Sequence, residues 1–266
     1  MSDQPVRLER HGAVASLVLH DPPLNLFGPH TYEALMSCLE EVEGSDARAL
    51  AWRAEGEVFT GGADVNVFNQ VVEALESGGP PALATGFGQL LGAVQRLEAI
   101  PIPTLALVHG LCLTAGLEVS LGCDMIWASE SAQFGLVEAV VGLTPGAGGT
   151  QRMAERAGPA RAREFVMTRG MYDAKTLERW NVVNRVLPDD ELLEKGMRFA
   201  QHLAEGPTKA HAATKRIVRA HLEGGVPEAD RVTPEVAGSL FETEDLQKAV
   251  RSFLDEGPGK ATFEGR

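Results

Sequence analysis

The chain has little cysteine, few aromatic residues and no excess of positive charge. Its 266 residues include three cysteines, 6% aromatics, and 24 Lys+Arg against 37 Asp+Glu, for a net charge of −13. Cys38, Cys112 and Cys123 are odd in number, sit among apolar neighbours and lack CxxC spacing. That pattern speaks against a disulfide framework or zinc cluster and for reduced core thiols. The acidic balance argues against a general nucleic-acid binder, which needs a basic stripe to displace counterions from phosphate. An anionic ligand therefore has to be captured locally, by helix N-termini and a few placed cations. No apolar run reaches the roughly 18 residues of a membrane span, and the N-terminus lacks the charged, apolar and small-residue order of a secretion signal, so a soluble cytoplasmic protein is expected. The seven histidines show no HExxH or other metal spacing, so no metal is expected. No GxSxG elbow marks a serine hydrolase.

What is present begins with 44% hydrophobic residues, enough for one large core or for a main domain with a helical appendage. VASLVLH (Val14 to His20) alternates like a strand and leaves into DPPLNLFGP. HTYEALMSCLEEVEGS has helical spacing up to Gly44, and ALAWRA reads as a short buried strand. The order repeats: EVFTGGADV as a strand end running into glycines, FGQLLGAVQRLEAI as an amphipathic helix, PTLALVHG as a strand. TAGLEVSLGCDMIWAS then passes through a helix into a strand, and AQFGLVE opens the next unit. Repeated strand, loop and helix predict an α/β architecture with crossover connections. Beyond about Pro188 the pattern is helical, with breaks expected at 206–207, 224–227 and 233–235. SGGPPALATG, residues 77–86, reads as a flexible insertion.

Two segments carry a strand into small residues: FTGGADV, with Gly61, Gly62 and Ala63, and VHGLCLTAGLE, with Thr114, Ala115 and Gly116. Either they are tight turns packed against neighbours, or their unpaired amides converge on one point and polarise a carbonyl oxygen. Glu118 and Glu138 pose a similar choice. Each lies in an apolar stretch, where it either faces solvent or forms part of a carboxylate pair able to hold one water for general acid–base work. GAGGT lacks the Lys-Ser/Thr ending of a nucleotide-binding P-loop.

FTGGAD, HGLCLTAGLEVSLGCDMIWAS and AQFGLVEAVVGLTPGAGGTQR, in that order, together resemble the crotonase superfamily and within it the enoyl-CoA hydratases. The resemblance extends from the early PPLN to the terminal FLDEGPGKATFEG. It implies a ββα superhelical (spiral) core over residues 1–200 and an α-helical region for trimer assembly over 201–266. The Ala63 and Ala115 amides match the family's oxyanion hole, Glu118 and Glu138 its two catalytic glutamates, and Gly146 a glycine whose amide helps hold the reacting water. Coenzyme A is expected along the loop after Asn25 and beside Gly61, Gly62, Asp64, Val65 and Asn66, with Lys260 and Phe263 of the tail reaching a neighbouring subunit's ligand. The CoA thioester is itself the substrate, with no further cofactor, and the expected assembly is a trimer or a hexamer. Asp64 and Asp124 are also expected to anchor turns.

Three departures from the family pattern stand out: His109 for Asn, Thr114 and Ala115 for two glycines of a triple, and Val137 for the Pro before the second glutamate. Asn66 replaces a residue that is basic in many relatives. The resemblance leaves two alternatives to a hydratase: an isomerase or another acyl-CoA enzyme of the superfamily, and a crotonase-fold protein that binds acyl-CoA or RNA without catalysis.

Overall fold

The β-branched residues near the N-terminus form a hairpin. β1 (Val6–His11) pairs antiparallel with β2 (Val14–Leu19), all of whose residues are buried. The computed structural model describes residues 4–78 and 83–266. Next come α1 (Pro29–Glu43), β3 (Ala49–Ala54), α2 (Val65–Glu76), α3 (Leu83–Ala99), β4 (Thr104–Val108), β5 (Leu111–Leu113), α4 (Thr114–Leu121), β6 (Met125–Ser129) and β7 (Gln133–Gly135). A 3₁₀ turn over Glu138–Val141 follows. After it come α5 (Gly149–Ala157), α6 (Pro159–Met167), β8 (Tyr172–Asp173), α7 (Ala174–Arg179), β9 (Arg185–Leu187), α8 (Leu192–Ala204), α9 (Thr208–Ser239) and α10 (Glu244–Glu256).

Six strands form one sheet in the order β1-β2-β3-β4-β6-β9, parallel except for the hairpin at its edge. A smaller sheet runs β5-β7-β8, and single bridges join Phe27 to Ala63 and Thr60 to Cys112. A strand in the large sheet, a short extended piece in the small stack, and then a helix recur along the chain, which is the ββα winding expected. Parallel strands covered on both faces need near-continuous apolar runs, and β4 is buried at every residue. One face carries α1, whose Leu35, Leu39 and Val42 fall in a helical stripe against Leu17, Leu19 and Trp52. Fully burying each such leucine contributes about 1.5–3 kcal/mol. The other face carries α8, which sets Ala200 and Ala204 against Val14, Ala49, Leu105 and Leu107.

Several expectations need correction. EVFTGG forms no strand, only the isolated bridges at Thr60 and Ala63, because Asp64 caps a new helix immediately afterwards. TPE (233–235) does not interrupt α9, since Pro234 removes one N–H while the turns on either side continue; the kink lies at Gly224 and Gly225, which have non-helical backbone angles. Residue 200 falls inside α8 and not between elements; the chain leaves the sheet at Gly206–Pro207. Of the stretch expected as an insertion, 79–82 lies outside the described residues and 83–86 opens α3. The three cysteines are buried free thiols, and burial pushes Cys38 up to about 11 and Cys123 to about 12. No helix among the described residues is long and apolar enough to cross a membrane.

Candidate active site

TAGLEVSL is apolar on every side, and α4 is accordingly buried from Ala115 to Leu121. Glu118 rides within it at 3% exposure. A carboxylate so placed needs donors. Two come from the turn into α5: the Ala147 and Gly149 N–H groups each donate to Glu118 Oε1 at 2.8 Å. These amides lie at the positive end of a nine-residue helix, where an anion is favoured. A Cβ on Gly149 would lie 2.9 Å from Glu118 Cγ and 3.0 Å from a Leu136 methyl, so the close approach of this amide requires glycine. Arg152, almost buried, adds a positive charge; its guanidinium pairs with Glu98 and donates to the Gly148 carbonyl at 3.2 Å. Burial pushes the Glu118 pKa up, while the two amides and Arg152 pull it back. Oε2 accepts no hydrogen bond among the described residues and is left for a ligand or water.

Glu138 is placed differently. It follows β7 directly, at the start of the 3₁₀ turn, and both of its carboxyl oxygens are fully buried with no hydrogen-bond partner. Burial raises its pKa first and the nearby Glu118 charge adds to this, bringing it to about 7, while its own amide offsets part of the rise. Burial thus raises both carboxyls; Glu118 Oε1 has two amide donors and Arg152 nearby to favour its charged form, whereas neither Glu138 oxygen has a hydrogen-bond partner, an asymmetry that favours a shared proton on Glu138. Val137, which caps the turn, has φ −102°, well outside the range a proline ring imposes.

The two small-residue turns meet. Leu113 donates to the Thr60 carbonyl, and α4 begins directly after β5, leaving the Ala115 N–H at a helix N-terminus without a partner among the described residues. The Ala63 N–H, expected to be free, instead donates to Thr114 Oγ1 at 3.0 Å. Gly146 is half-buried and its amide has no partner among the described residues; it is Ala147 and Gly149 that grip Glu118.

Of the residues expected along the CoA arm, Asn25 has a buried side chain that the fold itself occupies. Its Nδ2 donates to the carbonyls of Glu55, Val58 and Phe59, and its Oδ1 accepts from the Asp21 amide, so it shapes the loop from within and cannot also face a ligand. Gly61 donates to the Leu24 carbonyl, and the Gly62 carbonyl accepts from Phe27. Asp64 caps α2 by accepting from the Asn66 backbone and side chain, and Val65, which opens that helix, is exposed. Asp124 anchors its turn, as expected, through the Thr104 amide and hydroxyl and through Lys215. His109 Nε2 donates to the Gly56 carbonyl at 3.0 Å, and burial lowers its pKa. Lys260 is exposed and without an ion pair among the described residues. Phe263 lies among α9 and α10, its carbonyl accepting from Arg48, so the tail is tied to its own chain. A cavity between Glu98, Arg152, Lys209 and Arg216 is lined by neither Glu118 nor Glu138.

Sequence reasoning missed Arg152, Ala147 and Gly149 as the setting of Glu118. Their signal lay in the quoted GAGGTQR, whose last residue is the arginine.

Comparison with known proteins gives the family of the chain. The family model for enoyl-CoA hydratase/isomerase matches residues 9–266. A protein named "Probable enoyl-CoA hydratase" from Bacillus subtilis is 30% identical over 254 residues, covering 95% of each chain. A namesake from Rhizobium meliloti is 30% identical over all of both chains. Among solved structures, an enoyl-CoA hydratase subunit from Geobacillus kaustophilus superposes with a TM-score of 0.89 at 30% identity, covering 98% of both chains. The chain thus belongs to the enoyl-CoA hydratase/isomerase family, within the crotonase superfamily.

Proposed function

We propose that this protein is an enoyl-CoA hydratase, adding water reversibly and syn across the double bond of a trans-2-enoyl-CoA. The observation that carries this reading is the unequal pair, one carboxyl with two amide donors on one oxygen and the other with both oxygens buried and unbonded, its pKa raised to about 7. An isomerase that moves one proton needs only one such group; addition of water needs a base for the water and an acid for the carbon at the same moment.

The thioester carbonyl takes its hydrogen bonds at the Ala115 end of α4, which withdraws electrons and makes C3 electrophilic. A water on Glu118 Oε2 attacks C3 and yields a proton to Glu118, while Glu138 delivers its own proton to C2. The pair ends with its single proton moved from Glu138 to Glu118, and exchange with solvent resets it. The CoA thioester is the substrate, and the reading invokes no further cofactor. Exposed Phe241, Phe253 and Leu254 near the C-terminus support assembly with other copies, as a trimer or a pair of trimers.

Purified protein should deplete the enoyl absorbance of crotonyl-CoA, and glutamine at position 118 or 138 should lower turnover by roughly 10²–10⁴-fold while leaving CoA binding in place. Failure of the wild type to hydrate short, medium or aromatic enoyl-CoAs would sink the reading, and isomerisation of a 3-enoyl-CoA in its place would redirect it to the isomerases.

A further inference from the structure

Thr114 stands where a glycine is usual in the family, and its backbone is left-handed, with φ +43°. Asn25, Arg169 and Asn181 are the other non-glycine residues with positive φ among those described, and Thr114 alone is β-branched, the class for which this conformation is a true outlier. Such strain persists where the surroundings enforce it and clusters at functional sites. Here the surroundings are visible. The threonine side chain lies on Gly62, at φ +97°, so closely that a methyl there would fall on Thr114 Oγ1. The hydroxyl oxygen accepts from the Ala63 N–H.

A hydroxyl carries one hydrogen and two lone pairs. With Oγ1 accepting from Ala63, its hydrogen remains to be donated, and it meets no acceptor among the described residues. It sits one residue before the unpaired Ala115 amide, at the half-exposed start of α4. We propose that the Thr114 hydroxyl is itself an oxyanion donor, so that the thioester oxygen is held by Thr114 O–H and Ala115 N–H while Ala63 acts one bond back, polarising the hydroxyl. A hydrogen bond received at Oγ1 makes its O–H a stronger donor, so the charge that forms on the enolate oxygen is spread through the hydroxyl to the Ala63 amide. A catalytic side chain thus joins an oxyanion site otherwise built from backbone, and its packing on Gly62 and the bond from Ala63 hold it there against the strain at φ +43°.

The proposal rests on the acyl-CoA reading but not on the hydration step, so the test uses an unreactive ligand. Saturated butyryl-CoA labelled with ¹³C at its thioester carbonyl is bound to the full-length protein, and the carbonyl stretch is followed by infrared difference spectroscopy. Wild type and Thr114→Ser should lower the stretch on binding, and Thr114→Val, isosteric without the hydroxyl, should lose most of that shift. In parallel, kcat for crotonyl-CoA should fall about 10²–10³-fold in the valine variant, the usual cost of one oxyanion donor, with KM little changed. Should valine prevent folding, Thr114→Cys, compared with Thr114→Ser, which likewise lacks the γ-methyl, puts a far weaker donor at the same position and should fall in the same direction. A valine or cysteine variant with an unchanged carbonyl shift would overturn the proposal. So would a wild type that leaves the carbonyl unshifted, or a Thr114→Gly variant more than tenfold faster than wild type, which would make the threonine a plug. A lowered carbonyl stretch with no hydration of crotonyl-CoA would instead count against the hydratase reading and leave this one supported.

Discussion

Glu118 and Glu138 lie near enough for the charge of one to raise the pKa of the other and carry the same side chain, yet their surroundings are opposite. Glu118 lies in a rigid buried helix with two amides on one oxygen and Arg152 behind them. Glu138 opens a short turn, and neither of its oxygens is bonded. The contrast teaches that burial alone does not decide protonation. Both groups are desolvated, but only one has donors that replace the lost water, so the charge collects there and the proton on its neighbour.

The most severe way to break the comparison is to remove either partner's carboxylate. The glutamine variants already described should cost orders of magnitude each, and the double variant little more than the worse single, because the two groups act as one unit; a rate assay of all three checks this. A subtler break is Gly149→Ala, whose methyl would press on Glu118 Cγ and Leu136. We expect a loss of about 10-fold or more in kcat with substrate binding preserved, and an acid limb displaced upward in the pH–rate profile as Glu118 loses an amide.

The comparison can also be read as stability. Glu138 has a folded pKa of about 7 against 4.5 when unmodified, so it binds its proton more tightly in the folded state. Its contribution is intact below the unfolded value and is lost as pH rises toward and through 7. Glu138→Gln should therefore be more stable than wild type at pH 8, by at most about 3 kcal/mol and less with solvent screening, and should show no such gain at pH 4; thermal melts at the two pH values measure it. The smallest effect on activity is expected from Glu98→Gln, which removes the charge that part-exposed Glu98 sets against nearly buried Arg152. It should cost about 1–3 kcal/mol of stability, read by thermal melts, and shift activity only slightly.

Much of this contrast was legible in the chain. The strands β2, β3 and β4 and the helices α1, α3 and α4 follow from runs long enough to show a period. The elements without a sequence signal have physical reasons for it. β5 is three residues long, too short for alternation, and α2 buries no residue, so no core-facing stripe announced it, whereas β7, equally short, was announced by the opening of AQFGLVE. Both glutamates could be picked out as carboxylates in apolar runs, and the family motifs gave them roles. What no single run could show was their inequality, because the donors to Glu118 arrive from residues about thirty positions away. The same is true of Thr114, a mere substitution in the TAG turn until the Ala63 amide is seen to point at its hydroxyl. Asn25 is the converse case, an apparent ligand residue whose amide is wholly used by three carbonyls of the next loop.

The central claim is that the active form of the pair carries one proton, on Glu138. The most direct measurement is kcat/KM for crotonyl-CoA hydration against pH, which reports the free enzyme. The account predicts a bell: activity falling as pH rises through about 7, where Glu138 loses its proton, and falling again on the acid side, where Glu118 gains one, with the alkaline limb missing from the residual activity of Glu138→Gln. A rate that stays level or climbs from pH 6 to pH 9 would contradict it.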